Sequence, residues 1–142
     1  MKLQIENVSL SIEGSSILEN LNLNVHEHEI LSIIGPSASG KSSLLRMIAG
    51  FENINSGKIK LNNSIVDDMV TKVEPQKRNI GIIFQDLALF PHLNCKDNIL
   101  FGISKNCIDQ KLNRLDRLAS LLGISQILES FPHEISGGQQ QR

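Results

Sequence analysis

The sequence predicts an α/β fold, with an antiparallel sheet at the N-terminus and a helical region at the C-terminus. Apolar and polar residues alternate up to Val25, and leucines recur at helical spacing after residue 108. Between these segments, a glycine-rich octapeptide at residues 35–42 separates a continuous apolar run from a helical pattern. The chain of 142 residues suits one core, which in a compact domain buries about 68–70% of the unfolded surface.

The first segment predicts two antiparallel strands. The segment Glu13-Gly14-Ser15-Ser16 has the small and polar residues of a turn and divides the pattern. The apolar positions are Leu3, Ile5, Val8, Leu10 and Ile12 before the turn, and Leu21, Leu23 and Val25 after it.

The octapeptide Gly-Pro-Ser-Ala-Ser-Gly-Lys-Ser follows residues 30–34, which predict a buried strand. A helix with Leu44 and Ile48 on its apolar face comes next, and Gly50 is placed to end it. This order is typical of a phosphate-binding loop, in which backbone N–H groups and the positive end of a helix dipole bind an anion. The alternative, a glycine and serine turn that precedes a lysine by chance, is disfavoured because every fixed position matches.

Each polar residue of this loop has an expected role. Lys41 is expected to bridge the outer phosphates of a nucleotide, and the Ser42 hydroxyl to bind Mg²⁺, a hard ion that prefers oxygen ligands. Ser39 and Ser43 are expected to support them. The predicted nucleotide-binding residues here are Gly35, Pro36, Ser37, Ala38, Ser39, Gly40, Lys41, Ser42 and Ser43.

The middle of the chain predicts two further strands. Residues 57–61 are expected to form one that runs into a tight turn at Asn62-Asn63, and residues 80–84 form a short apolar run that suits a buried strand. Residues 71–79 are polar and charged and predict a surface loop. For Asp67-Asp68 a surface loop is also favoured over a catalytic strand end.

The C-terminal half predicts helices. Asn94, three residues before Asp97, has the form of an N-cap. A helix of about four turns is expected to end at Gly123 and to bury one apolar stripe, which consists of Ile108, Leu112, Leu115, Leu118 and Leu122. Ser136-Gly137-Gly138-Gln139 then has a capping-box pattern that could equally begin an ordinary helix or present N–H groups to an anion.

Composition limits the partners. With 14 basic and 15 acidic residues the net charge is −1, which disfavours nucleic acid as the main partner. Cys95 and Cys107 are expected to be reduced thiols. No segment reaches the roughly 20 apolar residues of a membrane helix, so any membrane role is expected to come through a partner. The scattered histidines predict no metal site; they are His26, His28, His92 and His133.

The two glycine motifs and the residue between them, Gln85, together resemble the nucleotide-binding subunits of ATP-binding cassette (ABC) transporters. Gln85 stands where that family has its Q-loop glutamine, and residues 86–93 and 97–102 resemble the segment that contacts the permease. The chain looks most like importer ATPases that serve ferric iron, polyamines or sulfate, with ferric iron as the first hypothesis.

The resemblance implies a P-loop NTPase fold with a sheet and loop core at residues 1–84 and a helical region at residues 85–142. It implies ATP and Mg²⁺ as cofactors, with Gln85 near the metal, and a head-to-tail dimer. In that dimer each ATP lies between the loop of one subunit and the motif of the other, formed by Ser136, Gly137, Gly138 and Gln139. Permease subunits are the implied partners, a solute-binding protein is an indirect one, and the implied location is cytoplasmic, at the inner face of the membrane.

The chain departs from the family at three places. Ile12 stands near the position of an aromatic residue that stacks on adenine, and Ala38 stands at a frequent glycine, where a methyl is tolerable only if φ is negative. An apolar strand ending in Asp, a catalytic Glu and a switch His are not found up to Arg142, so no catalytic residue is predicted within these residues.

The alternative function is a non-catalytic module that binds ATP or partner subunits; a soluble cassette ATPase of DNA repair or translation ranks last.

Overall fold

The computed structural model describes residues 2–103 and 108–142, with side chains at all of these except 108–111. They form two compact units, one ending at Ile82 and one running from Ile83 to Arg142. Cys107, predicted to be a reduced thiol, lies outside the described residues.

The first unit contains a four-stranded antiparallel sheet in the order β2-β1-β3-β4. Its strands are β1 (Leu3–Ile12), β2 (Ser15–Val25), β3 (Ser56–Leu61) and β4 (Ser64–Asp67). Two-residue turns join β1 to β2 and β3 to β4, and all four turn residues have positive φ, as tight hairpin turns require. The φ angles are 50° at Glu13, 80° at Gly14, 49° at Asn62 and 65° at Asn63.

The helix α1 (Lys41–Ala49) supplies Leu44 and Met47 to the core of this unit. Gly50 ends the helix in the left-handed conformation at φ 91°, as its sequence position predicts. The buried cluster combines residues of the sheet, of α1 and of the segment after it, namely Ile5, Val8, Leu10, Leu44, Met47, Ile54, Ile59 and Val66.

Two predicted buried strands are absent. Neither residues 30–34 nor residues 80–84 pair with another strand, and the side chains of Ile30 and Ile34 are 94% and 93% exposed. A continuous apolar run forms a buried strand only when neighbouring strands satisfy its backbone groups. Within the described residues, each strand of the sheet pairs antiparallel with its neighbours and none pairs with these runs.

The prediction of surface loops at Asp67-Asp68 and at residues 71–79 is wrong for Asp67 and Arg78. Both side chains are buried, and the Arg78 guanidinium donates to Asp67 Oδ2 at 2.9 Å. It also donates to the carbonyls of Met47 and Ile48, both at 3.1 Å, and to that of Val73 at 2.8 Å. Asp67 thus ends β4 as a partner for a buried cation.

The second unit contains the helices α2 (Cys95–Leu100), α3 (Ile108–Leu122) and α4 (Gly137–Gln141). Asn94 caps α2 as predicted, because its Oδ1 accepts the Asp97 N–H at 2.7 Å. The predicted leucine stripe of α3 is only partly buried, since Leu118 and Leu122 are each 42% exposed. Leu115 of this stripe is buried as predicted, together with Ala119 and, after the helix, Ile124.

Candidate functional site

The glycine-rich loop leads into α1 through two residues with positive φ. Ala38 has φ 63°, and Gly40, the N-cap of α1, has φ 86°. Ser39 N–H closes a turn onto the carbonyl of Pro36 at 3.4 Å. Left-handed residues in such a loop turn successive N–H groups toward the same side, which makes a concave surface for an anion.

The N-terminus of α1 has no side chain to satisfy its free N–H groups. Gly40 has no side chain to act as a cap, and the first turn contains no acidic residue. The N–H groups of the first turn have no partner within a helix, and the helix dipole concentrates positive potential there. This helix end is therefore available to a negatively charged ligand.

Lys41, the first residue of α1, is folded back over the loop. Its Nζ donates to the Gly35 carbonyl at 3.0 Å, to the Ser39 Oγ at 3.3 Å and to the Pro36 carbonyl. These three acceptors hold the ammonium group at the loop, close to the free helix end. Phosphate oxygens are stronger acceptors for an ammonium group than neutral carbonyls are, because the bond is then charge-assisted on both sides.

A cavity of about 280 Å³ lies at this loop. The lining residues are Ile17 from β2 together with Ala38, Ser39, Gly40, Lys41, Ser42 and Ser43. None of these is a carboxylate, so the lining favours an anion. The exposed Ser42 is part of it, which places a hydroxyl of the type that binds Mg²⁺ beside the predicted phosphate position.

Ala38 does not have the negative φ that its methyl group was expected to require. At φ 63° this residue is in the left-handed region, where an L-residue other than glycine costs about 1–2 kcal/mol. The loop therefore carries backbone strain at the position where the family often has glycine.

Replacing Ala38 with glycine is expected to stabilise the first unit by up to about 1 kcal/mol. Relief of the strain gains about 1–2 kcal/mol, and the greater freedom of the unfolded chain removes about 0.4–1 kcal/mol of it. Urea unfolding followed by circular dichroism measures the net effect. The matched control is Ala49→Gly, at a buried residue in helical conformation, which should destabilise. If the two variants were destabilised to the same extent, the proposal that the backbone at Ala38 is strained would be contradicted.

Ile12, the predicted adenine contact, is the last residue of β1 and packs against the core cluster. It does not line the cavity at the loop, whereas Ile17 does. Ile17 was not singled out from the sequence, because the strand alternation gives no sign of its orientation.

Gln85 and the second glycine motif lie in the other unit. Gln85 is exposed in a turn. Ser136 is the N-cap of α4, where its Oγ accepts the Gln139 N–H at 3.3 Å and its own N–H donates to Gln139 Oε1 at 2.9 Å. The predicted capping box is therefore confirmed.

Among the described residues nothing requires glycine at Gly137 or Gly138. Neither has a positive φ, and a Cβ added to either would meet no atom within 4 Å. The preceding Ser136 is exposed as well. The second motif is thus an exposed surface whose glycines pack against none of the side chains that the structure describes.

A family model described as "ABC transporter" matches residues 18–142, which include the loop, Gln85 and the second motif. The chain belongs to the ABC transporter family. The Fe(3+) ions import ATP-binding protein FbpC of Fusobacterium nucleatum is 37% identical over 144 residues, which cover 100% of this chain and 38% of that protein. The maltose/maltodextrin import ATP-binding protein MalK of Mannheimia succiniciproducens is 41% identical, covering 97% of this chain and 37% of that protein.

The solved structures give the same assignment. A dimeric post-hydrolysis state of the ATP-binding cassette MJ0796 bound to ADP and Pi superposes with a TM-score of 0.82 at 28% identity, covering 98% of this chain and 65% of that one. The fold is thus that of an ABC cassette, an α/β P-loop fold. The chain spans about two fifths of the length of the two import proteins it resembles.

Other candidate sites are not supported in the described part of the chain. The residues described there contain no group of three or more His, Cys, Asp or Glu that could hold a metal ion. No helix among them is both long and apolar enough to cross a membrane. Cys95 is a free thiol, and burial raises its pKa above the ordinary value.

Proposed function

We propose that the chain is the ATP-binding part of an ABC import system and that its loop binds Mg-ATP. The observation that carries this proposal is the uncapped N-terminus of α1, with Lys41 held over a loop whose Ala38 and Gly40 have positive φ. The triphosphate would accept hydrogen bonds from backbone N–H groups of the loop and of the first turn of α1. Lys41 would move from its carbonyl partners to the outer phosphates.

Ser42 and Gln85 are the proposed Mg²⁺ ligands. Both supply neutral oxygen atoms, which leaves room for waters and phosphate oxygens, as Mg²⁺ prefers. The metal would neutralise charge on the outer phosphates. Ser42 is supported by its place in the lining of the cavity, and Gln85 by its exposure in a turn and by the family resemblance.

The second motif is proposed to complete the ATP site of another copy. A Cβ added to Gly137 or Gly138 would meet no described atom within 4 Å, which is expected if these glycines serve the close approach of a ligand or a partner. The similar cassette MJ0796 is described as dimeric and bound to ADP and Pi. A head-to-tail pair would place residues 136–139 of one subunit over the triphosphate of the other.

The Gly138→Ala variant tests whether the second motif serves the ATP site of another copy and not that of its own chain. It is expected to keep the melting temperature within about 2 °C, because the added methyl meets open space in the folded chain and alanine favours helix. Mg-ATP binding to its own loop should also be unchanged, whereas association in the presence of ATP, measured by analytical ultracentrifugation, should be weaker. ATP-dependent association equal to that of the unaltered chain would contradict the composite site.

A permease is the proposed partner of an exposed aromatic surface formed by Phe90, His92 and Phe101. The ring centroids of Phe90 and Phe101 are 4.3 Å apart, those of Phe90 and His92 are 5.9 Å apart, and Phe101 is 63% exposed. Asn98 fixes this surface, because its Oδ1 accepts the Phe90 N–H at 2.8 Å and its Nδ2 donates to the Phe90 carbonyl at 3.0 Å. Through such a contact the protein would sit at the cytoplasmic, inner face of the membrane.

Solute import is proposed from the relatives. One named relative is an importer of Fe(3+) ions and another of maltose and maltodextrin, and ferric iron remains the first hypothesis for the solute. A solute-binding protein would deliver it to the permease. Uptake of radiolabelled ferric iron should fall in cells whose gene carries Lys41→Ala. Unchanged uptake of ferric iron, with loss of uptake of maltose or a polyamine, would reassign the solute.

Within these 142 residues we propose ATP binding without turnover. No carboxylate lines the cavity at the loop, and Asp67 is already paired with Arg78 in the interior. Calorimetric titration should detect Mg-ATP binding to the purified chain while phosphate release stays at background. Phosphate release that Lys41→Ala abolishes would overturn the second half of this proposal, and absence of ATP binding would overturn the first.

A further inference from the structure

The helix α4 is too short to be stable without contacts to the rest of its unit. It has five residues, Gly137–Gln141, and none of them is buried. Helices of this length are marginal in water, and most helices in proteins are stabilised by packing of an apolar face. The second motif forms the first turn of α4, so whatever fixes the helix also fixes the N–H groups of that motif.

The packing beside α4 is loose. A cavity of about 260 Å³ is lined by residues 139–142 and by the apolar side chains of Ile124, Ile127 and Ile135, among others. Dispersion contacts weaken steeply across a gap, so a helix beside a cavity gains little from burial. The capping box at Ser136 is local to the first turn and does not join α4 to another element.

The Gln140 side chain supplies a connection from α4 to the preceding chain. Its Nε2 donates to the Pro132 carbonyl at 2.8 Å, and this contact is partly buried. Pro132 is itself buried in the 3₁₀ turn Pro132–Glu134, where Glu134 Oε2 accepts the Phe131 N–H at 2.7 Å, so the acceptor belongs to a fixed turn. Among the described residues, this is the one hydrogen bond from a side chain of α4 to the chain before Ser136.

We infer that Gln140 is a positioning residue for the second motif. By holding α4 to the Pro132 carbonyl, it keeps the N–H groups of residues 137–139 in one orientation for the nucleotide that another copy binds. The inference rests on the proposed composite ATP site. A preformed site loses less conformational freedom on binding, so an ordered motif binds its partner more tightly than a mobile one. Gln140 acts through the helix and contacts no nucleotide itself.

Two substitutions at Gln140 separate its hydrogen bond from its shape. Gln140→Glu has the same shape, but an ionised carboxylate only accepts hydrogen bonds and cannot donate to a carbonyl. Gln140→Lys has a different shape and keeps a donor. The matched controls are Gln141→Glu and Gln141→Lys. They change the charge of the same helix in the same way, at an exposed side chain for which the described part of the chain offers no hydrogen-bond partner.

The first measurement is the backbone amide order parameter of residues 137–139 from NMR relaxation, which needs no nucleotide. In the unaltered chain it should be about 0.85, the value of a rigid backbone, and in Gln140→Glu it should fall below about 0.6. Gln140→Lys and both Gln141 variants should keep the value of the unaltered chain.

The second measurement is ATP-dependent association, followed by analytical ultracentrifugation. Gln140→Glu should weaken it about tenfold, because the Pro132 carbonyl loses its donor and the motif its fixed orientation. Gln140→Lys should associate like the unaltered chain. Mg-ATP binding to the loop of the same chain, measured by calorimetric titration, should be equal in all variants, because the loop belongs to the other unit.

Two results would overturn the inference. One is an order parameter in Gln140→Glu equal to that of the unaltered chain, which would mean that other contacts hold α4. The other is an association that Gln140→Glu leaves unchanged or weakens no more than Gln141→Glu does. Failure of the proposed function looks different. The unaltered chain would then bind no Mg-ATP, or would bind it without associating, while the order parameters would still follow the presence of a donor at residue 140.

Discussion

Replacement of Arg78 by alanine is expected to lower the free energy of unfolding by about 3–5 kcal/mol, which is typical of breaking a buried ion pair by removing one partner. Arg78 and Asp67 are each only 4% exposed, and the guanidinium donates to Asp67 Oδ2 at 2.9 Å. Its removal would leave a carboxylate inside the protein with its cation gone, and the desolvation of that charge would be uncompensated.

The loss extends beyond the ion pair. Arg78 also donates to the carbonyls of Met47 and Ile48 in the last turn of α1, and to the carbonyl of Val73. The carbonyls of the last helical turn lack the N–H partners of the helix interior, although the Met47 carbonyl also accepts the Gly50 N–H at 3.1 Å. A cation at this helix end also interacts favourably with the helix dipole. Gly50 leaves room for this contact, because a Cβ there would lie 2.6 Å from Arg78 Nε.

Urea unfolding of Arg78→Ala measures this loss. The matched control is Arg46→Ala, which removes an arginine–carboxylate ion pair at the surface, with Glu52 at 2.9 Å. That pair is solvent-exposed, so the control should lose less than about 1 kcal/mol. A similar loss in both variants would contradict the role assigned to burial. The double variant Arg78→Met with Asp67→Leu should recover part of the stability, since no unpaired charge remains.

Replacement of Lys41 by alanine is expected to weaken Mg-ATP binding by about 10- to 100-fold, because a charged hydrogen-bond donor to phosphate is lost. In the structure Lys41 Nζ is held at the loop by the carbonyls of Gly35 and Pro36 and by Ser39 Oγ. The ammonium group is thus already close to where a phosphate would lie. To bind one it exchanges these neutral acceptors for charged phosphate oxygens, which are the stronger partners.

Calorimetric titration of Lys41→Ala with Mg-ATP measures this effect, and circular dichroism checks that the variant is folded. Lys77→Ala is the matched control, since Lys77 is an exposed lysine that pairs with Glu74 at 2.9 Å and is not part of the cavity lining. Its affinity for Mg-ATP should equal that of the unaltered chain. Equal affinities in the Lys41 and Lys77 variants would mean that the loop does not bind phosphate through this lysine.

Short-range features could be predicted from the sequence. The hairpin turns, the N-cap at Asn94, the capping box at Ser136 and the end of α1 at Gly50 depend on the φ preferences and hydrogen bonds of residues a few positions apart. The phosphate-binding loop belongs to the same class, because the N-terminus of α1 and the glycine before it are adjacent in the chain.

Long-range features were decided by the tertiary structure. The polar segment that contains Arg78 has no local sign of burial, and only packing against α1 and β4 brings its guanidinium to Asp67 and to two helix carbonyls. The position of Ile17 beside the loop depends on how β2 pairs with β1. Apolar composition predicted strands at residues 30–34 and 80–84, yet a strand exists only where another backbone pairs with it.

The glycine-rich loop, the start of α1 after it and the family of the chain could therefore be inferred from the sequence, because the motif consists of consecutive residues. The tertiary structure alone decided which side chain of the sheet faces the loop and which charges are buried, because both depend on residues far apart in the chain.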